Sequence, residues 1–198
     1  MDQETEFPRC SRAAHWLGVT VMKATGWRVT GSVPNTPRML IIAAPHTSNW
    51  DLIYLLGAAY TLGLSINWLG KDSLFKSVLG PLLRFVGGLP VDRSRPNNLV
   101  KQLAEDINNR PGCAIVVPPA GTRRYTPYWK SGFYWIATEA NIPLVCGYLD
   151  YKHKVAGLGL TFSPSGNIPA DMERIREFYA DKNAKFPAQK SLIRLKEE

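Results

Sequence analysis

The sequence is poor in cysteine, and what it has is badly placed for cross-linking. Cys10, Cys113 and Cys146 are an odd number with no C-x-x-C pair, which argues against a disulfide framework and a cysteine zinc site. Cys113 and Cys146 sit in the apolar runs CAIVV and PLVCGYL, the setting of buried, inert thiols in a reducing compartment. No apolar run is convincing as a membrane span. The longest charge-free stretch, Leu52 to Gly70, has nineteen residues, enough by length alone to cross a bilayer. It carries Tyr60, Thr61, Ser65 and Asn67 late in its course and breaks at Gly63, so it reads as a buried helix followed by a strand. The opening MDQETEF is acidic before it turns apolar, the wrong order for a secretory leader. Internal repeats and low-complexity segments are also lacking. What remains, 198 residues that are 45% hydrophobic and 20% charged, is the composition of one globular domain and not of a disordered or fibrous chain.

Negative charge is the next shortage. Twenty-four Lys and Arg face sixteen Asp and Glu, a net charge of +8. Between Lys71 and Trp135 stand ten basic and only four acidic residues, so most of the excess falls in one third of the chain. A central basic excess suits a phosphate-bearing ligand or an anionic membrane surface. Nucleic acid is the weakest partner, because the cations stand singly or in pairs with no recognition motif beside them.

Apolar periodicity predicts alternating strands and helices. Strands are expected at 38–44, 64–69, 89–92, 113–118 and 143–149, and helices at 49–63, 73–86, 97–109, 131–140 and 168–180. KVAGLGLTF (154–162) follows its predecessor closely enough to pair antiparallel at a sheet edge. This alternation predicts an α/β fold, a single-layer mixed and mostly parallel sheet flanked by helices. Before it, residues 11–27 form a helix with Trp16, Val19, Met22 and Trp27 available for one side. That helix either packs over the sheet or lies on lipid with Arg12, Lys23 and Arg28 at headgroup level.

Three histidines are candidates for chemistry. His15 lies in the N-terminal helix and His153 in a basic turn, and neither is expected to have a carboxylate that makes it a base. His46 follows a buried strand and opens PHTSNWD, at the strand end where α/β folds bind ligands. Asp51, five residues on, falls in the first turn of the next helix, where its side chain leans back toward the imidazole. A carboxylate on one ring nitrogen fixes the tautomer and leaves the other nitrogen as a base. The competing reading is a capping box over Ser48–Asp51, in which Asp51 merely satisfies the Ser48 amide.

HTSNWD resembles the H-x-x-x-x-D motif of the glycerolipid acyltransferases, whose best-known members are the 1-acylglycerol-3-phosphate acyltransferases. The resemblance continues in order along the chain. KDSLFKSVLGPLLRFVGGLPVDRS (71–94) is similar to the family's second block, PPAGTRRYTPYWKSGFYWIA (118–137) to its third, and ANIPLVCGYLDY (140–151) to its fourth. Two positions depart from the pattern: Ala120 stands where the family has the Glu of E-G-T-R, and Gly147 where it usually has a proline. The likeness is greatest to the short bacterial members, and it implies the glycerol-3-phosphate acyltransferase-like fold. Residues 1–37 are then an N-terminal helical segment able to contact a membrane, 38–180 the acyltransferase domain, and 181–198 a polar C-terminal tail.

By this resemblance His46 is the general base and Asp51 its partner, with Ser48 or the amides at the helix start stabilising the oxyanion. Arg93, Gly121, Thr122, Arg123 and Lys130 bind the acceptor, the arginines taking its phosphate. The resemblance implies no metal and no cofactor beyond the co-substrate, acyl-CoA or acyl carrier protein. The acyl thioester is the donor and a lysophospholipid, foremost lysophosphatidic acid, the acceptor. The helix expected at 73–86 would line the acyl groove, and the protein would sit peripherally on the cytoplasmic side of an anionic membrane. The missing Glu leaves two alternatives open, a lipid-binding protein of weak or no catalysis and an enzyme for a lyso-lipid without phosphate.

Overall fold

The computed structural model describes residues 7–91 and 96–198. In chain order its elements are α1 (Arg12–Ala24), β1 (Arg28–Thr30), β2 (Arg38–Ala44), α2 (Trp50–Thr61), β3 (Asn67–Lys71), α3 (Asp72–Phe75), α4 (Gly80–Phe85), β4 (Gly88–Val91), α5 (Pro96–Asn108), β5 (Cys113–Val117), α6 (Gly132–Ala140), β6 (Leu144–Asp150), β7 (Val155–Phe162) and α7 (Ile168–Tyr179). The strands form one seven-stranded sheet in the order β1-β7-β6-β2-β5-β3-β4. Every neighbouring pair is parallel except β6 with β7.

The central strands are apolar on both faces because helices cover both. In β2, Leu40, Ile42 and Ala44 join a core with Leu103 and Ile107 of α5, Phe133 and Ile136 of α6, and Met172 and Ile175 of α7. Met39 and Ile41 point the other way, into a core with Ala59 of α2 and Trp68 of β3. Helix α1 lies outside α2, and the two approach closely at glycines: a Cβ on Gly18 would sit 2.8 Å from the Gly57 carbonyl oxygen. Met22 and Trp27 are buried on this side, whereas Trp16 is 62% exposed. The helix therefore packs on α2, its Met22 sharing a core with Leu149 of β6 and Ala156 of β7, and it still turns a tryptophan outward.

The structure departs from the pattern in four places. The helix expected at 73–86 breaks into α3 and α4, because Pro81 in a continuous helix would clash with the carbonyl four residues back. The break leaves Leu74, Val78, Leu79, Leu82 and Phe85 exposed, while Phe75 is buried. The strand expected at 64–69 begins three residues late. Leu64 and Ser65 are held by the N-terminal stretch instead, Leu64 bridging Arg9 and the Ser65 amide donating to the Pro8 carbonyl. Strand β7 does pair antiparallel with β6, but it is not an edge, since β1 covers its other side. The three residues of β1 are too few to show any period. Residues 52–70 divide into α2 and β3, and no helix among the described residues is long and apolar enough to cross a membrane.

Parallel neighbours deliver their C-terminal ends to one edge. β6, β2 and β5 are adjacent, so the segments after Asp150, Ala44 and Val117 emerge side by side. Below that edge the fully buried Tyr179 hydroxyl donates to the carbonyls of Ile42 (3.0 Å) and Gly147 (2.9 Å), tying β2 to β6. Replacing it by phenylalanine removes the donor from two buried carbonyls, which should cost ~1–3 kcal/mol. Urea unfolding of Tyr179→Phe checks this, with an unchanged midpoint counting against the tie.

Candidate active site

The site begins where β2 ends. The chain turns at residues 46–49 and enters α2, whose first turn holds Asp51, 5% exposed. One carboxylate oxygen, Oδ2, accepts from His46 Nδ1 at 2.9 Å, from the Thr47 amide at 2.8 Å and from the Ser48 amide at 2.9 Å. The other, Oδ1, accepts from the Tyr151 hydroxyl at 2.6 Å. Both readings of the HTSNWD turn are therefore realised at once: Asp51 satisfies the Ser48 amide and also holds the imidazole. The Ser48 hydroxyl oxygen accepts from the Trp50 amide at 3.2 Å.

The electrostatics follow from this count of donors. Burial pushes the Asp51 carboxyl pKa up, but the hydrogen bonds from His46, Tyr151 and Ser48 outweigh it and hold the pKa below the ordinary carboxylate range. Tyr151 moves the other way, its pKa raised first by burial and then by the adjacent carboxylate. Its hydroxyl is a permanent donor. With Nδ1 committed to an ionised carboxylate, the imidazole presents Nε2, which has no protein partner among the described residues, as its accepting nitrogen.

His46 lines a mainly apolar cavity together with Pro45, Ala120, Trp129, Tyr179, Lys190 and Ile193. Ala120 thus shares a wall with the imidazole. After β5, the Gly121 amide donates to the Pro118 carbonyl at 3.0 Å and the Lys130 amide to the Pro119 carbonyl at 2.9 Å. Gly121 has a positive φ of 65°, and a Cβ there would press to 3.2 Å from Lys130 Cε. Thr122 turns its hydroxyl back to accept from the Arg124 amide at 3.2 Å. Arg123 donates through Nη1 to the Asn49 side chain, at the start of α2. Of the acceptor-binding candidates, the structure thus brings Arg123 to the turn that holds His46 and Asp51, and lays Lys130 over Gly121. Arg93 lies outside the described residues.

Several participants were not foreseen from sequence. Tyr151 is a hundred positions from its partner, and no local pattern marks it. Residues 181–198, polar in composition, fold back over the site, where Leu195 is buried and the Phe186 amide donates to the Thr47 hydroxyl at 3.3 Å. The Gln189 amide nitrogen, in the orientation its surroundings demand, donates to the Arg123 carbonyl at 2.7 Å. Lys190 Nζ donates to the carbonyls of Lys182 (2.8 Å) and Tyr179 (3.4 Å). The expectation that His153 lacks a carboxylate is corrected: its Nδ1 lies 2.7 Å from Oδ2 of Asp150, three residues earlier across the tight turn after β6. His153 is largely exposed and is not among the residues that line the His46 cavity. His15 Nδ1 bonds the Tyr60 carbonyl at 3.0 Å and so joins α1 to α2. Burial pushes the Cys146 thiol up to about 12 and raises that of Cys113, as inert thiols require. Among the described residues no three His, Cys, Asp or Glu side chains converge where they could share a metal ion.

Comparison with known proteins bears on the family and the fold. The acyltransferase family model matches residues 27–149. A 1-acyl-sn-glycerol-3-phosphate acyltransferase of Streptococcus pneumoniae is 26% identical over 117 residues, 59% of this chain and 43% of that protein. The chain spans less than half the length of this curated relative. Among solved structures, the 1-acyl-sn-glycerophosphate (LPA) acyltransferase PlsC of Thermotoga maritima shares the fold, with a TM-score of 0.59 at 17% identity over 86% of this chain and 75% of that one.

The Asp51 arrangement has a pH signature. A folded-state pKa below the unfolded value stabilises the fold fully above the unfolded pKa, near 3.9, and that contribution disappears as pH falls through the folded value. Asparagine can accept the three N–H bonds through its carbonyl and donate to the Tyr151 oxygen, so Asp51→Asn should fold. Its stability deficit relative to wild type should be largest near about pH 7 and shrink toward about pH 3, read by urea unfolding across that range. A deficit independent of pH would mean that the carboxylate charge contributes nothing.

Proposed function

The chain belongs to the acyltransferase family, and from that premise we propose that it transfers a fatty acyl group from an acyl thioester, acyl-CoA or acyl carrier protein, to the hydroxyl of a lysophospholipid, with lysophosphatidic acid the foremost acceptor. The observation that carries this reading is the His46–Asp51 bond at 2.9 Å beside a mainly apolar cavity.

In the proposed reaction His46 Nε2 takes the proton of the acceptor hydroxyl as its oxygen attacks the thioester carbonyl. The imidazolium so formed is stabilised by the Asp51 carboxylate on Nδ1. Collapse of the tetrahedral intermediate breaks the C–S bond, and Nε2 returns the proton to the departing thiolate. No acyl-enzyme is needed. A positioned general base contributes ~10²–10⁴-fold, and holding both substrates together adds to it. The Thr47 and Ser48 amides are not available for the oxyanion, because both donate to Asp51 Oδ2. Arg123 and Lys130 are the proposed phosphate contacts among the described residues, with Arg93 the third by resemblance. Guanidinium is suited to bidentate phosphate binding, and the bond from Arg123 to Asn49 keeps it beside the base.

The acceptor is a lipid, and the α3–α4 region offers a way onto a bilayer. Val78 is 98% and Phe85 87% exposed, with Leu79 and Leu82 beside them in sequence. Lys71, Lys76 and Arg84 flank them, a pattern suited to shallow insertion at an anionic surface. This supports peripheral binding to an anionic membrane surface; the cytoplasmic side is part of the proposal by resemblance.

Two experiments test these proposals. Free-thiol release from acyl-CoA with lysophosphatidate should fall at least ~10²-fold in His46→Ala with the circular dichroism spectrum unchanged. Near wild-type turnover by that variant on every lyso-lipid tested would sink the mechanism. Sedimentation with anionic vesicles should weaken with added salt and on Val78→Ser/Phe85→Ser. Binding indifferent to both would remove α3–α4 as the contact.

A further inference from the structure

We infer that Tyr151 is the positioning residue of the proposed base, a phenol clamped in an aromatic box that fixes the plane of the Asp51 carboxylate; the inference rests on His46 and Asp51 working as a pair. Three of the four donors to Asp51 meet at Oδ2, so His46 shares that oxygen with two amides. The terminal torsion of aspartate is soft and nearly two-fold, and three donors on one oxygen leave the other free to swing. The Tyr151 hydroxyl supplies the missing tether, on Oδ1 at 2.6 Å.

A tether is useful only if its own anchor is rigid. The Tyr151 amide donates to the Asn183 carbonyl at 2.9 Å, fixing its backbone against the C-terminal segment. Its ring meets Trp27 edge-on with centroids 5.0 Å apart and Tyr54 edge-on at 5.9 Å. Trp27 is 5% exposed and stacks on Tyr54 at 4.4 Å. The Lys185 ammonium stands 5.7 Å from the Tyr151 ring centre and 5.2 Å from that of Trp50. Four parts of the chain thus hold one hydroxyl: the link from α1 to β1, helix α2, the end of β6, and the segment after α7.

The hydroxyl also sets charge. Its bond to Oδ1 withdraws electron density from the carboxylate and makes it less basic, which limits how strongly the carboxylate can stabilise an imidazolium at His46. The titratable and charged groups facing this pair are Tyr151 after β6, Tyr54 on α2, Arg123 after β5, and Lys185 and Lys190 of the C-terminal segment. Removing the phenol O–H leaves Asp51 more basic and less constrained. The imidazolium then forms at higher pH, and the productive orientation is populated less.

Tyr151→Phe keeps the ring and its box. In acyl transfer it should lower kcat about tenfold, the size of one lost hydrogen bond, with KM for donor and acceptor nearly unchanged. The acidic limb of the kcat/KM profile should move to higher pH. NMR of His46 in the same protein without substrate should show its imidazole titrating at higher pH, with the Nδ1–H resonance displaced or broadened. The NMR arm separates the two ideas: if the wild type transfers no acyl group to any acceptor, the proposed activity fails, yet a shifted His46 titration still supports the positioning role. A variant with a lowered Tm but wild-type kcat, pH profile and His46 titration would overturn it and make Tyr151 a packing residue.

Discussion

The Asp51 carboxylate is an ion taken almost wholly out of water, and the upper edge of the sheet is organised around keeping it satisfied. Burying a bare carboxylate costs several kcal/mol even after relaxation. Here four donors replace the lost water, two from the backbone of its own turn and two from side chains. None of these donors can be supplied by α2 alone. The turn depends on β2 ending at Ala44, the imidazole on Pro45 delivering His46 into that turn, and the phenol on β6 ending beside β2. Sheet order and site geometry are thus one constraint seen at two scales.

The H-x-x-x-x-D pair was legible because it is local. A strand end, a five-residue spacing and a helix start fix the approach of His46 to Asp51 with little tertiary freedom. The alternating layers were legible for the same reason, since β2, β5 and α5 through α7 each carry a full period of apolar residues. The long-range partners carry no such mark. Tyr151 closes the YLDY run and reads as any interfacial aromatic, and only parallel pairing of β2 with β6 brings it to Asp51. Segment 73–86 carries apolar residues at helical spacing on both sides of Pro81, whose ring forbids the continuous helix that the spacing describes. The amides of Thr47 and Ser48 illustrate a different limit: a helix start supplies unpaired donors in general, but here the first-turn carboxylate has already taken them.

Ala120 acquires a definite meaning from its surroundings. It stands in the wall of the His46 cavity, next to the side that Lys190 and Ile193 close. By the resemblance drawn from the sequence a carboxylate is expected at this position, and it would add a negative charge to the cavity that His46 and Lys190 also line. Alanine leaves the wall apolar, and the nearby lysine answers to backbone carbonyls of Tyr179 and Lys182 instead. The departure therefore changes the polarity of the cavity without disturbing the His46–Asp51 bond.

The return of the C-terminal segment to the site has a temporal side. A nascent chain emerges in sequence order, and its early elements are free to fold before the last have been made. Strand β2, helix α2 and the His46 turn lie in the first third of the sequence, and β6 brings Tyr151 much later. The cavity wall waits longer still, for Lys190, Ser191 and Ile193. Until residue 193 has cleared the ribosome, the imidazole has its partner but not its enclosure.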